Sequence, residues 1–190
     1  VHIAFEKIKN AFVNAREQNI SNYLHQLETE ANKYLQKLNE NDFHGIIRIW
    51  KTLKETGEES VSVKLYSSNN TEIENPNGAL KTSMYMSVLF AISQITTLKR
   101  EKDYPLIFDA PTSSFGSYKE DAFYNVIDTI DKQCIIFTKD LIISDTVTGN
   151  KTLDFDTINK LSCSVYRVET VEPFDREDLS TIQTIVKQVR

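Results

Sequence analysis

Apolar residues along positions 2–40 recur at helical spacing, and this stretch contains neither Gly nor Pro. Ile20, Leu24, Leu27, Ala31, Tyr34 and Leu38 follow one another at alternating steps of four and three, with charged or amide residues at most other positions. That is an a/d seam. Phe5, Ile8, Phe12 and Ala15 form an earlier stripe offset from it by one residue. The pattern fits an amphipathic helix lying on its own domain. Over residues 43–74 the period changes to two. Ile47 and Ile49 flank Arg48, and Val61, Val63 and Leu65 flank Ser62 and Lys64, which predicts antiparallel strands. Turns fall at Glu55, Thr56, Gly57, Glu58 and Glu59, and at Ser67, Ser68, Asn69 and Asn70. Trp50 reads as a core or interface anchor.

Helical spacing returns at 79–98, where Leu80, Met84, Val88, Ala91, Ile92, Ile95 and Leu98 line one face. A short apolar run, Leu106, Ile107 and Phe108, predicts a buried strand. A helix follows over 118–130, then a second buried strand, Cys134 to Phe137. This β-α-β rhythm predicts a largely parallel sheet, with the two strands adjacent and joined by a crossover. Further on, 151–160 predicts a short helix and 161–169 an edge strand. Asp175 is placed to cap a terminal helix over 176–189, with Leu179, Ile182, Val186 and Val189 on one face.

The 190 residues suffice for one domain with a sizeable core, and 40% apolar with 26% charged residues is ordinary for a globular chain. The formal net charge of −5 argues against a globally basic nucleic-acid coat. Lys99, Arg100 and Lys102 make a small basic loop, but Glu101 and Asp103 interleave, which is the pattern of a solvated loop. No apolar run reaches membrane-span length and no signal peptide is visible. The expected setting is a reducing cytoplasm, with Cys134 and Cys163 as buried free thiols. Val1 stands where a Met would begin a chain, which reads as a piece of a longer protein. His2, His25 and His44 are far apart and carry no metal-ligand spacing. No Ser/His/Asp or Cys/His arrangement is recognisable.

Candidate chemistry concentrates at residues 104–116, Tyr-Pro-Leu-Ile-Phe-Asp-Ala-Pro-Thr-Ser-Ser-Phe-Gly. Asp109 ends the strand, at the edge where open α/β sheets bind ligands. A carboxylate there commonly holds Mg²⁺ beside a nucleotide phosphate. It also fits a simple turn cap, although an isolated buried carboxylate is costly without a cation. About thirty residues upstream, Asn75-Pro76-Asn77-Gly78-Ala79-Leu80-Lys81 opens a long helix. A Gly turn at a helix N-terminus offers free N–H groups and a dipole to an anion, and it is also an ordinary Asn-Gly helix start.

The order of Gly turn, helix, strand-Asp-x-Pro, helix, strand resembles the C-terminal lobe of ABC-type ATPase heads in the structural-maintenance-of-chromosomes (SMC) and double-strand-break-repair families. The flavour is closest to the DNA sulfur-modification ATPases of the DndD type and related bacterial defence ATPases. The resemblance covers about residues 20–170. It implies an α/β lobe over 41–190, with a mainly parallel sheet and some antiparallel strands, preceded by a coiled-coil stump over 1–40. It implies ATP and Mg²⁺ as cofactors and Asp109 as the metal-associated catalytic carboxylate. Asn77, Gly78, Ala79 and Lys81 correspond to the turn that touches the γ-phosphate of a partner head. Ser113 and Ser114 fall in the loop that crosses to that head, and Lys139 stands where a phosphate-contacting His is usual. The implied partners are an N-terminal phosphate-loop lobe in the same or another chain, a second head, DNA and an effector nuclease, with no membrane.

Several positions depart from the family pattern: Asn77 stands near the usual Ser, Ala79 or Leu80 replaces the usual acidic residue of that turn, Ala110 replaces the usual Glu, Gly116 the usual Asp, and Lys139 the usual His. No Gly-x-x-x-x-Gly-Lys-Ser/Thr occurs in the chain. The chain then holds half of a composite site and is inactive alone. The departures leave a second reading open, a catalytically silent lobe that mediates dimerisation or partner binding. A third is an unrelated α/β domain in which Asp109 only caps a strand.

Overall fold

The computed structural model describes residues 2–40, 42–97, 105–145 and 149–190. Leu98, the basic loop at 99–103 and Tyr104 lie outside the described residues. The chain divides into two compact units, one running to Phe137 and one from Thr138 to Arg190.

The first unit is built on α1 (His2–Leu38), a helix of 37 residues. Its C-terminal two thirds is core. Leu24, Leu27, Ala31, Leu35 and Leu38 are buried, while Ile20 and Tyr34 are half-buried. The predicted seam is therefore occupied by the protein's own domain from Ile20 onward. Residues 3–16 are exposed throughout, with Phe5 68% and Phe12 73% accessible. At 1.5 Å per residue this leaves about 20 Å of helix carrying an uncovered apolar stripe.

A hairpin of β1 (Ile46–Leu53) and β2 (Glu59–Tyr66) packs along α1 in the predicted antiparallel register, Ile47 opposite Leu65 and Ile49 opposite Val63. Gly57 takes φ +79° at the turn, a conformation only Gly adopts without strain. The second edge of β1 is met by side chains of α1. The Asn32 amide donates to Ile47 O (2.9 Å) and accepts from Ile47 N (2.8 Å), and Glu28 accepts from Ile49 N at 2.7 Å. These two residues, one turn apart on the helix, replace a neighbouring strand. Nearer the tip, the Lys51 ammonium bridges Glu17 and Glu59, both at 2.8 Å, and Arg16 reaches Glu59 at 2.8 Å. Hydrogen bonds to Glu17 and Glu59 raise the Lys51 pKa, and the bond from Lys51 depresses that of Glu59.

The chain then enters α2 (Gly78–Thr97), which packs Leu80, Met84, Ala91 and Ile95 against α1. Next come β3 (Leu106–Asp109), α3 (Ser117–Asp128) and β4 (Cys134–Phe137). The two strands pair in parallel, Leu106 with Cys134 through Asp109 with Phe137, as the crossover rhythm predicts. Phe108 sits in a second core with Leu38, Phe90, Phe123 and Val126, the aromatic rings meeting at centroid distances of 5.8–6.2 Å. Among the described residues this is the parallel pairing; the other three are antiparallel.

The second unit contains β5 (Ile142–Ser144) paired with β6 (Lys151–Leu153), a single helical turn α4 (Phe155–Ile158) capped by Asp154, and β7 (Tyr166–Thr170) paired with β8 (Thr184–Gln188). The terminal helix expected over 176–189 is not formed. Leu179–Thr181 makes one 3-10 turn capped by Asp178, and β8 follows. Thr184, Ile185, Val186 and Val189 are β-branched and favour an extended chain. The i, i+3, i+4 spacing of the same apolar residues was outweighed by pairing with β7. Asp175 accepts from Glu177 N in a local turn and does not cap a long helix. Cys134 is half-buried as a free thiol, but Cys163 is free and exposed because the strand starts only at Tyr166.

Candidate functional site

Parallel sheets are normally covered on both faces, because crossover helices lie on each. Here one face of the β3–β4 pair, Leu106, Phe108, Cys134 and Ile136, packs on the aromatic core. The other face is open. Ile107 is 63% exposed, Ile135 38% and Phe137 54%, and Asp109, two residues beyond Ile107, lies on that same face and is exposed. The sheet thus presents a carboxylate at its carboxyl edge beside an uncovered apolar strip.

Immediately after Asp109 the backbone turns sharply. Ala110 adopts φ +44°, unusual for a residue with a side chain, and its N–H donates to Phe137 O at 2.8 Å. Ser113 N donates to Ala110 O and Phe115 N to Thr112 O, winding residues 110–115 into a compact loop. Pro111 and Thr112 are buried within it, and Phe115 packs on Phe123. Ser113 and Ser114 are left exposed. The loop delivers the chain to α3 through Gly116, which caps it in extended conformation with no side-chain bond, so the first turn of α3 is open at its N-terminus.

The upstream turn converges on this loop. Asn77 caps α2, its side-chain oxygen accepting from Leu80 N (2.8 Å) and its carbonyl from Lys81 N (2.9 Å). Gly78 and Lys81 are exposed and Ala79 is half-buried. The Ser114 hydroxyl donates to Thr82 Oγ1 at 2.9 Å, and a Cβ on Gly78 would stand 3.9 Å from Ser114 Cβ. A groove of about 430 Å³ opens beside this junction, lined by Asp42, Ala79, Gly116, Ser117, Tyr118 and Lys119. The fold therefore brings the turn that carries Asn77, Gly78, Ala79 and Lys81 to the loop that carries Ser113 and Ser114, the two meeting through Gly78, Thr82 and Ser114. Asp109 lies at the head of the same loop. Lys139 belongs to the second unit, where its carbonyl accepts from Ile142 N at 3.0 Å.

Among the described residues no group of three His, Cys, Asp or Glu side chains is close enough to hold a metal. Asp109 supplies one carboxylate. That fits Mg²⁺, which keeps several waters and takes one or two carboxylates plus phosphate oxygens. Cys134 is not an activated nucleophile, because burial raises its thiol pKa. Sequence periodicity did not single out Asn32, Glu28, Asn39 or Lys119, each of which joins elements distant in sequence. The faint signal for Asn32 and Glu28 is polarity one turn apart beside a buried seam.

No family model matches the chain, and no curated protein matches it. Solved structures do. The Smc head domain with a coiled coil and joint from Pyrococcus yayanosii is 17% identical with a TM-score of 0.51, over 71% of this chain and 26% of that one. An SmcHead bound to the C-winged helix domain of ScpA gives 0.54 at 11% identity, over 87% and 43%. The Smc head domain with an extended coiled coil bound to the C-terminal domain of ScpA, from Pyrococcus furiosus, gives 0.52 at 12% identity, over 97% and 38%. The likeness is one of fold: this mixed α/β chain with its long leading helix has the architecture of part of an SMC-type head. It spans less than half the length of each of these chains. No helix among the described residues is long and apolar enough to cross a membrane.

Proposed function

We propose that this chain is the C-terminal half of an ATP-binding head of an SMC-like ATPase, and that its open sheet face is where a phosphate-loop lobe docks. The observation that carries this reading is the position of Asp109 on the uncovered face of a parallel strand pair. A layer packed on Ile107, Ile135 and Phe137 gains about 1.5–3 kcal/mol per fully buried side chain. It also closes over Asp109 and removes its water. A carboxylate so enclosed needs a cation. Asp109 would hold Mg²⁺ there, and the ion would supply the charge that offsets the carboxylate and nucleotide phosphates beside it.

The remaining residues take supporting parts. The open N-terminus of α2, fixed by the Asn77 cap, presents the Gly78 and Ala79 N–H groups to the γ-phosphate held by a second, identical head, with Lys81 adding charge. Ser113 and Ser114 form the surface that meets that head, and Lys139 neutralises phosphate as a point charge. The exposed stripe of α1 pairs with a second helix as the base of a coiled-coil arm. The arm then starts from the exposed N-terminal third of α1, and the rest of the helix belongs to the lobe. The setting is DNA repair or anti-phage defence in the cytoplasm, with DNA and an effector nuclease as partners.

One observation favours a second reading. Ala110 leaves a methyl group where a water-activating carboxylate would stand, and it holds a left-handed conformation there. A lobe that binds Mg-ATP, engages a partner head and does not turn over fits that residue. Co-purification of this chain with its phosphate-loop lobe, followed by Mg-ATP binding and turnover, tests both. Binding with turnover supports the ATPase. Binding without turnover supports the silent lobe. A complex with no Mg-ATP affinity overturns the nucleotide reading.

A further inference from the structure

We infer that Lys119 is a positioning residue that ties the end of the long helix α1 to the Ser113–Ser114 loop. Lys119 lies in the first turn of α3, three residues past Gly116, yet its side chain points away from solvent and is only 11% exposed. Its ammonium donates to Asn39 Oδ1 at 2.7 Å and pairs with Asp42 Oδ2 at 2.7 Å. Asn39 is fully buried, and its amide donates back to Leu35 O at 2.9 Å. Asn39 also carries the turn that ends α1, its carbonyl accepting from Asp42 N and Phe43 N. A cation at this point faces the negative end of the α1 dipole. The link spans eighty residues of sequence and joins the end of α1 to the first turn of α3.

The geometry gives the link a direction of action. Gly116 O accepts from the Lys119 and Glu120 N–H groups, so anchoring Lys119 fixes Gly116 and with it the loop from Ala110 to Phe115. That loop holds α2 through Ser114 and Thr82. Asp42, Lys119 and Ala79 in the first turn of α2 all line the groove at this junction. A shift of α1 along its axis is thus delivered to the loop through the buried ammonium as well as through the core that Leu38 shares with Phe123. Coupling of this kind is reciprocal, so whatever fixes the loop also biases α1. The consequence for nucleotide engagement rests on the function proposed above; the link itself does not.

Hydrogen–deuterium exchange on the complete protein tests the inference. Lys119→Met keeps the length and removes the charge. Without nucleotide, the Asp42 and Phe43 amides and the Ser113, Phe115, Lys119 and Glu120 amides should lose protection together, by about ten-fold or more, while the β1–β2 ladder keeps its own. Lys119→Arg should restore both segments. Loss confined to the α3 amides, or no loss, overturns the coupling. If Lys119→Met loses protection everywhere, Lys119→Met/Asn39→Leu removes the Asn39 Oδ1 that the single variant leaves without its donor. That pair must show the same joint loss with the ladder intact, or the inference fails. Adding Mg-ATP separates the two claims. In wild type it should raise protection at both segments, and in Lys119→Met only around the loop. Joint loss in the nucleotide-free variant with no effect of Mg-ATP on wild type sinks the nucleotide reading and leaves the latch. Equal transmission in wild type and Lys119→Met overturns the latch whatever the nucleotide does.

Discussion

Asp109 stands in water on an uncovered strip of sheet, so its charge is cheap until something covers it. The sequence makes it a strand-end carboxylate, and a buried one would gain stability on losing its charge. Its exposure removes that gain here. Asp109→Asn should change the chain's unfolding free energy by less than about 0.5 kcal/mol. In the assembly proposed above it should lower Mg-ATP-dependent head engagement or turnover by about one to three orders of magnitude. Equal dimerisation and turnover in the two proteins would leave Asp109 as a turn cap. Ala110 next to it carries a different kind of cost. A left-handed residue with a Cβ is strained by about 1–2 kcal/mol, and β-branching adds to this. Ala110→Val should therefore destabilise the chain by about 1 kcal/mol or more, and Ala110→Gly should be close to neutral, as read by urea unfolding. Lys51 and Glu59 give a pH signature. The depressed Glu59 carboxyl contributes above its ordinary value of 4.5, and the contribution is lost as pH falls through the lowered value. The raised Lys51 ammonium contributes below its ordinary 10.5 and loses that contribution as pH rises through the raised value. The brace is fully present between these limits. Glu59→Gln should lower the melting temperature slightly at pH 7, with the difference fading as pH falls through the lowered Glu59 value and shrinking in high salt because the brace lies at the surface.

At the scale of elements, local pattern was legible wherever one period dominated. The β1–β2 hairpin, α2, α3 and the parallel pair β3–β4 follow from alternation, helical spacing and buried runs. The C-terminal segment misled because Leu179, Ile182, Val186 and Val189 satisfy a helical spacing while three of the five residues of β8, Thr184, Ile185 and Val186, are β-branched and extended. Pairing with β7 decided between them, and partner choice is not written in local spacing. The site was legible as two separate signals, the turn at 77–81 and the strand end at Asp109. Their junction through Ser114 and Thr82 was not, because it depends on how α2 and α3 pack. Helix α1 combines both situations. Its seam was visible, but only packing tells which part of it is already filled. Leu35→Ala should cost about 2–5 kcal/mol, since Leu35 is wholly buried. Phe12→Ala should cost less than about 0.5 kcal/mol in the chain alone and weaken pairing with a second helix. Equal costs in urea unfolding would mean that the N-terminal third of α1 is packed in solution.

For the whole molecule, the sequence contains no phosphate loop, and an apolar sheet face awaits a layer. The isolated chain should show no ATP turnover and at most weak nucleotide binding. Ile107→Lys should leave it folded, with a stability change within about 0.5 kcal/mol, and should abolish stable association with the phosphate-loop lobe. Unchanged association in a pull-down with that lobe would place the contact elsewhere. The pairing of Glu28 and Asn32 with the edge of β1 bears on how such a chain can change over generations. Inserting or deleting one residue between Asn32 and Asn39 would rotate α1 by about 100° and carry its amide off the strand. An insertion ahead of Arg16 disturbs none of those bonds. Length variation among descendants should therefore collect in the first fifteen residues and upstream of them, in steps of seven, while the segment from Glu17 to Asn39 keeps its length even where its residues drift.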